Sequence, residues 1–433
     1  MIKKYSIYTL SVAVVLIAIL LSCEKNQSSN IEVYIESIPG SKYHQQNGTW
    51  WGYNQQKIVR FENKVFMTVV ENDNLINGLP NASNPSTVHL YCKTDNGPWV
   101  KGEGIPTSRP ANILVDSKGT IHLIVFEPTE TDPSENGSLG KLKHYSFPNA
   151  KSGDIFTHII DLIEDHTPGT SETVNIRFGA SIGADDVLYV SFGLYQDLKL
   201  YYKHIDAANW TEEMAGQNLG NSYYYPFVLG TTKGPCVLAV QDDYLGRGLP
   251  NIYFKNKFFH RFNGTWTNQT VCDLSNHPLV ATRSQLVDNC ELFLSSSKMV
   301  IGIYQKKLDP SEDWKSSYFQ IEVDSSGQYT ETPIPLERDD INRIRLIEYQ
   351  GAFFYLCIKN NGLFIKKGIN GSLKEIDLPS LRSGNYMYVS NGSSGSSINS
   401  DHIDILLLNG NAGDYPNAIN HYVRINKHEL EKL

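Results

Sequence analysis

A repeated pattern of short strands is the feature that most constrains the fold of this chain. From residue 31 onward, mostly apolar runs such as residues 65–70 and 187–192 are separated by turns containing Gly, Asn or Asp. Turns such as Asp95-Asn-Gly97 and Asn263-Gly264 are typical of hairpins, because Asn and Gly tolerate the left-handed backbone that tight turns require. Almost no segment shows helical periodicity, so the sequence predicts an all-β protein.

The strands recur in larger units whose starts are spaced about 45 to 65 residues apart, as in four-stranded propeller blades. Asp116-Ser-Lys-Gly-Thr120 and Tyr349-Gln-Gly-Ala352 mark equivalent turns into a second strand. The units begin near Lys57, Ala111, Asn175, Tyr224, Cys290, Ile341 and Tyr386. We therefore predict a seven-bladed β-propeller of four-stranded antiparallel blades, with residues 31–35 completing the last blade. Six or eight blades, and a solenoid or jelly roll, are the alternatives.

The first 23 residues predict export. Lys3 and Lys4 precede an apolar run from Leu10 to Leu21, which is too short to span a bilayer and is typical of a signal peptide. The residues before Cys23 resemble a bacterial lipobox, in which the Cys is acylated and becomes the mature N-terminus. An ordinary secretory signal is the alternative.

The expected organisation is a lipoprotein signal peptide at 1–22, an acylated Cys23 with a polar tether at 23–30, and a single propeller domain at 31–433. Several acyl chains would attach the protein stably to a membrane. The expected location is the bacterial cell envelope, on the outer membrane, facing either the periplasm or the cell exterior.

Composition limits the partners. The net charge is −8, and removal of Lys3 and Lys4 with the leader makes it more negative, so nucleic acid is not an expected partner. The 25 Tyr, 17 Phe and 6 Trp residues favour either sugar stacking or strand packing.

The five Cys residues after Cys23 have no zinc-type spacing, so scattered buried thiols are expected, with one Cys272–Cys290 disulfide as the alternative.

Most of the mature chain resembles the sialidase-like BNR-repeat propellers of carbohydrate-degrading bacteria. The resemblance rests on residues 48–59, 109–122 and 224–228, and on the later segments 251–255 and 262–266. Within that family the chain is most similar to the branch of ulvan-type polysaccharide lyases and rhamnosyl-glucuronate glycosidases. The resemblance implies a propeller that acts on a polysaccharide or oligosaccharide, with uronic-acid-containing chains among the expected substrates.

The chain departs from the family at several positions. No three Arg residues stand where a sialidase binds its carboxylate, and complete Asp-boxes are absent, so sialidase activity is not expected. The two His positions of the lyases hold Ser108-Arg109 and Glu127-Pro128. A family Arg is replaced by Gln241-Asp242, so the lyase constellation is incomplete.

The resemblance implies His44, Arg109 and Tyr225 as catalytic candidates. His44 precedes the first blade and would act as a general acid or base near neutral pH. In the lyase reading, Arg109 would neutralise a uronate carboxylate. In the glycosidase reading, it lies where the partner of the catalytic His is expected, a position that resembles Gln in the family. Tyr225, which precedes Pro226, would serve as acid or base. The alternatives are a solvated His, a loop Arg and a packed strand Tyr.

Four further residues are candidates for substrate binding: Trp50, Trp51, Gln241 and Asp242. The two Trp rings would stack on sugars or, alternatively, seal one end of the propeller. No metal site and no cofactor is expected, with calcium at Asp242-Asp243 as the open alternative. Arg343 and Arg345 lie at a blade opening, where they would line the channel or form local salt bridges.

Two functional hypotheses follow. The first is an enzyme that cleaves a glycosidic bond next to a uronic acid, by hydrolysis or elimination. The second is a non-catalytic glycan-binding lipoprotein of the cell surface. A shielded acid/base pair would favour the enzyme, and an aromatic groove without one would favour the binder.

Overall fold

The described part of the chain forms seven four-stranded antiparallel sheets. The computed structural model describes residues 31–38, 52–71, 82–83, 85–131, 139–166, 174–194, 197–216, 222–242, 252–311, 315–336, 341–360, 362–378, 386–396, 400–409 and 419–433. The prediction of an all-β, seven-bladed propeller is confirmed. Within these ranges, no helix is both long enough and apolar enough to cross a membrane.

The strands follow one another blade by blade. Blades 1 and 2 consist of β2 (Ile58–Phe61), β3 (Lys64–Glu71), β4 (Ser86–Thr94), β5 (Val100–Thr107), β6 (Asn112–Val115), β7 (Ile121–Pro128), β8 (Gly140–Phe147) and β9 (Ile159–His166). Blades 3 and 4 consist of β10 (Val174–Ile182), β11 (Val187–Leu194), β12 (Asp197–His204), β13 (Thr211–Gly216), β14 (Ser222–Thr231), β15 (Gly234–Asp242), β16 (Tyr253–His260) and β17 (Thr267–Asp273).

Blades 5 and 6 consist of β18 (Val287–Leu294), β19 (Val300–Lys306), β20 (Ser317–Val323), β21 (Tyr329–Ile334), β22 (Ile341–Tyr349), β23 (Ala352–Lys359), β24 (Gly362–Lys367) and β25 (Leu373–Ile376). Blade 7 consists of β26 (Tyr386–Val389), β27 (His402–Asn409), β28 (Ile419–Asn426) and β1 (Val33–Ser37). Four short 3₁₀ segments, at Ala150–Ser152, Pro278–Ala281, Gly392–Ser394 and Lys427–Lys432, are the helical elements that we describe.

The N-terminal strand closes the ring. β1 pairs antiparallel with β28, from Val33 opposite Ile425 to Ser37 opposite His421. The predicted completion of the last blade by the first strand is therefore confirmed. This pairing ties the two ends of the domain together through backbone hydrogen bonds, so blade 7 cannot form without both ends of the chain.

The first strand of each blade lies at the centre. Every first strand contacts the first strands of the two neighbouring blades, from β2 around the ring to β26 and back to β2. These inner strands are buried along their length, as in β6, whereas outer strands such as β21 are mostly exposed. All seven inner strands run in the same direction because each opens its blade. We call the end of the channel where they begin the front mouth, and the end where they finish the rear mouth.

The five described cysteines are separate buried thiols. Burial raises the pKa of the Cys272 and Cys290 thiols to about 11, which keeps them protonated at neutral pH. The expectation of scattered thiols is confirmed, and the alternative Cys272–Cys290 disulfide is not formed. These residues fill the core between blades.

Candidate functional site

The segment at residues 52–57, here called the hub loop, crosses the front mouth just before β2. Its side chains reach other blades: Gln55 Nε2 donates to the carbonyl of Pro110 at 2.8 Å, and Asn54 Nδ2 donates to the carbonyl of Pro226 at 3.0 Å. Both side chains are buried. Because amide side chains bonded to backbone carbonyls have defined positions, the hub loop is a rigid platform at the centre of the front mouth.

Tyr53 of the hub loop is the centre of a compact cluster at the front mouth. Its hydroxyl donates a hydrogen bond to Asp288, at the start of inner strand β18. Its ring stacks on that of Tyr225 from β14, with centroids 4.8 Å apart and an interplanar angle of 28°. The guanidinium carbon of Arg343 from β22 lies 4.0 Å from the centroid of the same ring. Three blades and the hub loop thus bring four aromatic or charged side chains into contact.

Tyr225 and Arg343 share an unusual backbone conformation. Their φ angles are +50° and +63°, in the left-handed region that residues with a Cβ rarely adopt. Each lies where the register of its strand shifts, in the pairing of β14 with β15 and of β22 with β23. Bulges redirect a side chain, and a left-handed backbone at a residue with a Cβ costs about 1–3 kcal/mol. Both features are more frequent at functional sites.

Among the described residues, two cations lie beside the carboxylate of the cluster. Arg343 Nη1 lies 3.2 Å and Lys307 Nζ 3.8 Å from Oδ2 of Asp288, while Gln305 Nε2 donates to the same oxygen at 3.4 Å. One carboxylate therefore faces two cations. Asp288 is almost fully buried, and the Arg343 side chain keeps 15% of its surface exposed. A guanidinium that is partly accessible beside aromatic rings is suited to bind an anionic group of a ligand.

Burial and the neighbouring charges keep Tyr53 and Arg343 protonated. Burial and the Asp288 carboxylate raise the pKa of Tyr53 well above its usual value, so its hydroxyl stays protonated and keeps donating to Asp288. Burial acts to lower the pKa of Arg343, but Asp288 outweighs it, and the pKa is raised above its usual value. Arg343 is therefore charged at every accessible pH.

Arg345, which is buried, has a structural role. Arg345 donates to the carbonyls of Tyr53 at 2.5 Å, Cys290 at 2.9 Å and Met387 at 3.3 Å. This fan of hydrogen bonds anchors the hub loop to blades 5 and 7. Both Arg residues lie on inner strand β22 and both form ion pairs, Arg343 with Asp288 at 3.2 Å and Arg345 with Glu291 at 3.6 Å, so the two alternatives raised by the sequence are not exclusive. Only Arg343 belongs to the aromatic cluster.

The structure describes only some of the predicted site residues, and they lie at different distances from the Tyr53 cluster. Tyr225 lies in the cluster and is 7% exposed. Arg109 lies on the loop before β6 at the same mouth, where its Nη1 donates to the carbonyl of Ser108 at 2.7 Å. Gln241 is buried on β15, the strand paired with β14. His44, Trp50, Trp51, the side chain of Asp242, Asp243 and Cys23 lie outside the described part of the structure, so their roles stay predictions.

Tyr53, Asp288 and Lys307 were not predicted. Tyr53 lies within the segment 48–59 that carries the family resemblance, and Asp288 stands at a blade opening, as Tyr225 and Arg343 do. A search for polar residues at equivalent blade openings would have found Asp288. Within the described residues, no group of three or more His, Cys, Asp or Glu side chains is arranged to hold a metal ion.

Fold and site together define a β-propeller whose front mouth holds an aromatic cluster with a partly exposed Arg. No protein-family model and no curated protein matches the sequence. Among solved structures, the polysaccharide lyase Uly1 superimposes with a TM-score of 0.58 at 14% identity, over 93% of this chain and 95% of the lyase. This likeness shows a shared propeller fold.

Two sialidases are more weakly similar in structure. NanB from Streptococcus pneumoniae has a TM-score of 0.44 at 9% identity, over 92% of this chain and 71% of that protein. The Trypanosoma rangeli sialidase has a TM-score of 0.42 at 11% identity, over 90% of this chain and 56% of that protein.

Proposed function

We propose that this protein is an exported, lipid-anchored enzyme that cleaves a glycosidic bond next to a uronic acid in a poly- or oligosaccharide, at the front mouth of the propeller. The observation that carries the proposal is the convergence of Arg343 and Lys307 beside the stacked rings of Tyr53 and Tyr225. Cations bind a carboxylate, and the buried rings beside them form the apolar part of the site. The shared fold with a polysaccharide lyase is consistent with this function.

Each side chain has a distinct role in the proposal. Arg343 and Lys307 bind the uronate carboxylate and withdraw charge from the adjacent carbon. Tyr225 gives its proton to the departing glycosidic oxygen, a step that hydrolysis and elimination share. Asp288 is a positioning residue, since it holds both Arg343 and the Tyr53 hydroxyl.

The two routes differ in what replaces the broken bond. In elimination, a base removes the proton next to the carboxylate, and those electrons form a carbon–carbon double bond as the C–O bond breaks. In hydrolysis, water adds at the anomeric carbon instead. His44 is the predicted group for the base, and it lies outside the described residues.

The proposal is tested by incubating the soluble chain, residues 31–433, with a panel of uronate-containing polysaccharides and oligosaccharides. Product chains are followed by mass, and unsaturated uronate by absorbance at about 232 nm, the signature of proton abstraction next to the carboxylate. Shorter chains with this absorbance establish elimination, and shorter chains without it establish hydrolysis. The anchor is tested separately, by whether Cys23→Ala releases the full-length protein from membranes.

Arg343→Gln should weaken binding of a uronate oligosaccharide about ten- to a hundredfold, because a charge-assisted contact with the carboxylate is lost. Gln keeps a comparable stem at this left-handed position, so the backbone strain is similar. Affinity is measured by calorimetry. Lys233→Gln, at an exposed turn before β15, is the control for a lost positive charge. An equal loss of affinity for the carboxyl-reduced oligosaccharide would show that Arg343 does not read the carboxylate.

Binding without cleavage is the second candidate function. One observation favours it: Asp288 already accepts from Arg343, Gln305 and Tyr53, so this carboxylate is saturated by the protein's own groups. A saturated carboxylate is a poor base. Retained glycan binding with no shorter products, across the whole panel, would establish a glycan-binding protein and exclude the proposed cleavage of those substrates.

A further inference from the structure

A second cavity opens at the rear mouth, on the face opposite the Tyr53 cluster. It has a volume of about 730 Å³ and is bordered by the turns between first and second strands of several blades. Ser117 of blade 2, Asp186 of blade 3, Ser296 of blade 5 and Glu348 of blade 6 stand on its rim. Cavities of this size are typical of sites for small organic ligands.

The cavity has a closed floor because a plug fills the channel beneath it. The plug is the segment at residues 391–396, in which Ser393 and Ser394 are buried. Gln56 of the hub loop donates to the hydroxyl of Ser393 at 3.1 Å. Gly395 has a φ of +79°, and a Cβ there would overlap the carbonyl oxygen of Val115. The plug therefore packs without space for a side chain, and the two mouths are separate sites.

The rim is held rigid by bonds between blades. The backbone N–H of Ser117 donates to Asp186 at 2.9 Å, and its hydroxyl donates to the same carboxylate. The backbone N–H of Ser296 likewise donates to Glu348 at 2.6 Å, again together with the serine hydroxyl. The same latch thus joins blade 2 to blade 3 and blade 5 to blade 6. Because the rim is already ordered, binding of a ligand there costs little conformational entropy.

The lining combines apolar walls with a polar, electrically balanced rim. Val115, Ile182, Leu229 and Phe293 contribute the apolar surface. The charged side chains of the rim are two carboxylates and two ammonium groups, at Asp186, Glu348, Lys298 and Lys427. Because these charges balance, the cavity has no general preference for an anion, unlike the front mouth.

We propose that this rear cavity binds a neutral saccharide, as a glycan-binding site separate from the front mouth. The C–H face of a pyranose packs on the apolar walls, and its hydroxyls bond to the carboxylate, amide and hydroxyl groups of the rim. Arg343 makes the front mouth selective for an anionic group, whereas the rear cavity recognises the arrangement of sugar hydroxyls. A glycan with acidic and neutral stretches would be held at both faces. This site goes beyond the proposed function and does not depend on cleavage.

The test compares binding of the full folded chain to an array of neutral oligosaccharides before and after the cavity is filled. Ala184 is an exposed rim residue in the turn before β11, so Ala184→Trp places an indole in the cavity without altering the core. We expect the variant to bind its best neutral oligosaccharide at least tenfold more weakly in calorimetry.

Ala207→Trp is the matched control, because Ala207 is an exposed turn residue that does not line the cavity. It should bind as the unmodified protein does, and both variants should keep its melting temperature. No binding to any neutral oligosaccharide of the array would overturn the proposal, as would equal affinity of the two Trp variants. Cleavage of short uronate substrates should be unchanged by Ala184→Trp, so this result is independent of the front-mouth assay.

Discussion

Tyr225→Phe should lower kcat on the uronate-linked substrate by about 10²- to 10⁴-fold, the usual loss when a positioned proton donor is removed. The ring stays in place, so the 4.8 Å stacking on Tyr53 is kept and only the hydroxyl is lost. Since Arg343 still binds the carboxylate, KM should change little. The measurement is initial rate against substrate concentration, together with a thermal melt showing that the variant folds.

The neighbouring Tyr253 offers a matched control. Its ring meets that of Tyr225 edge to face at 6.2 Å and is almost fully buried. Tyr253→Phe removes a hydroxyl from the same aromatic cluster outside the proposed proton path, so kcat should stay within about threefold, well below a proton-donor loss. Equal rates for Tyr225→Phe and the unmodified enzyme would exclude Tyr225 as the acid and direct attention to His44.

Arg60→Ala should lower the free energy of unfolding by about 3–5 kcal/mol, because it leaves a buried carboxylate without its partner. Arg60 of β2 makes a two-pronged bond to Asp404 of β27, at 2.6 and 2.8 Å, and Asp404 also accepts from Tyr422 at 2.6 Å. This contact joins the first blade to the last. The loss is measured by urea unfolding.

Two further variants test whether loss of the buried ion pair causes the destabilisation. Lys118 and Asp206 also join neighbouring blades, but their side chains are 56% and 65% exposed, so Lys118→Ala should leave the unfolding midpoint unchanged. Arg60→Met combined with Asp404→Leu removes both charges and should be more stable than Arg60→Ala alone. If Arg60→Ala cost less than about 1 kcal/mol, the buried pair would not contribute to closing the ring.

The propeller fold was predictable because the sequence features that specify it are local. Strand alternation, hairpin turns and the long period all arise from residues close together in sequence, and each blade repeats them. The start of blade 5 was predicted near Cys290 and lies at Val287, while the strand at 31–35 forms the outer strand of blade 7 as expected. Hydrophobic patterning specifies such strands before any tertiary contact is known.

The candidate site was only partly predictable. Tyr225 was predicted because a family resemblance marks it, and Arg343 was singled out because it lies at a blade opening. The structure places both in the cluster, and their roles stay predictions. Asp288 and Tyr53 are 235 residues apart in sequence, and no local pattern links them. Their contact depends on the hub loop crossing the channel and on two bulges turning Tyr225 and Arg343 toward it.

The sequence by itself determined that the chain is all-β, that its units number seven and that its first strand completes the last blade. It also supports export, which stays a prediction. Only the tertiary structure decided which polar residues meet at the front mouth, and that the rear mouth is a separate, plugged cavity. The physical reason is that strand formation follows short-range patterning and burial, whereas a site at the channel gathers single residues from distant blades, each positioned by ring closure.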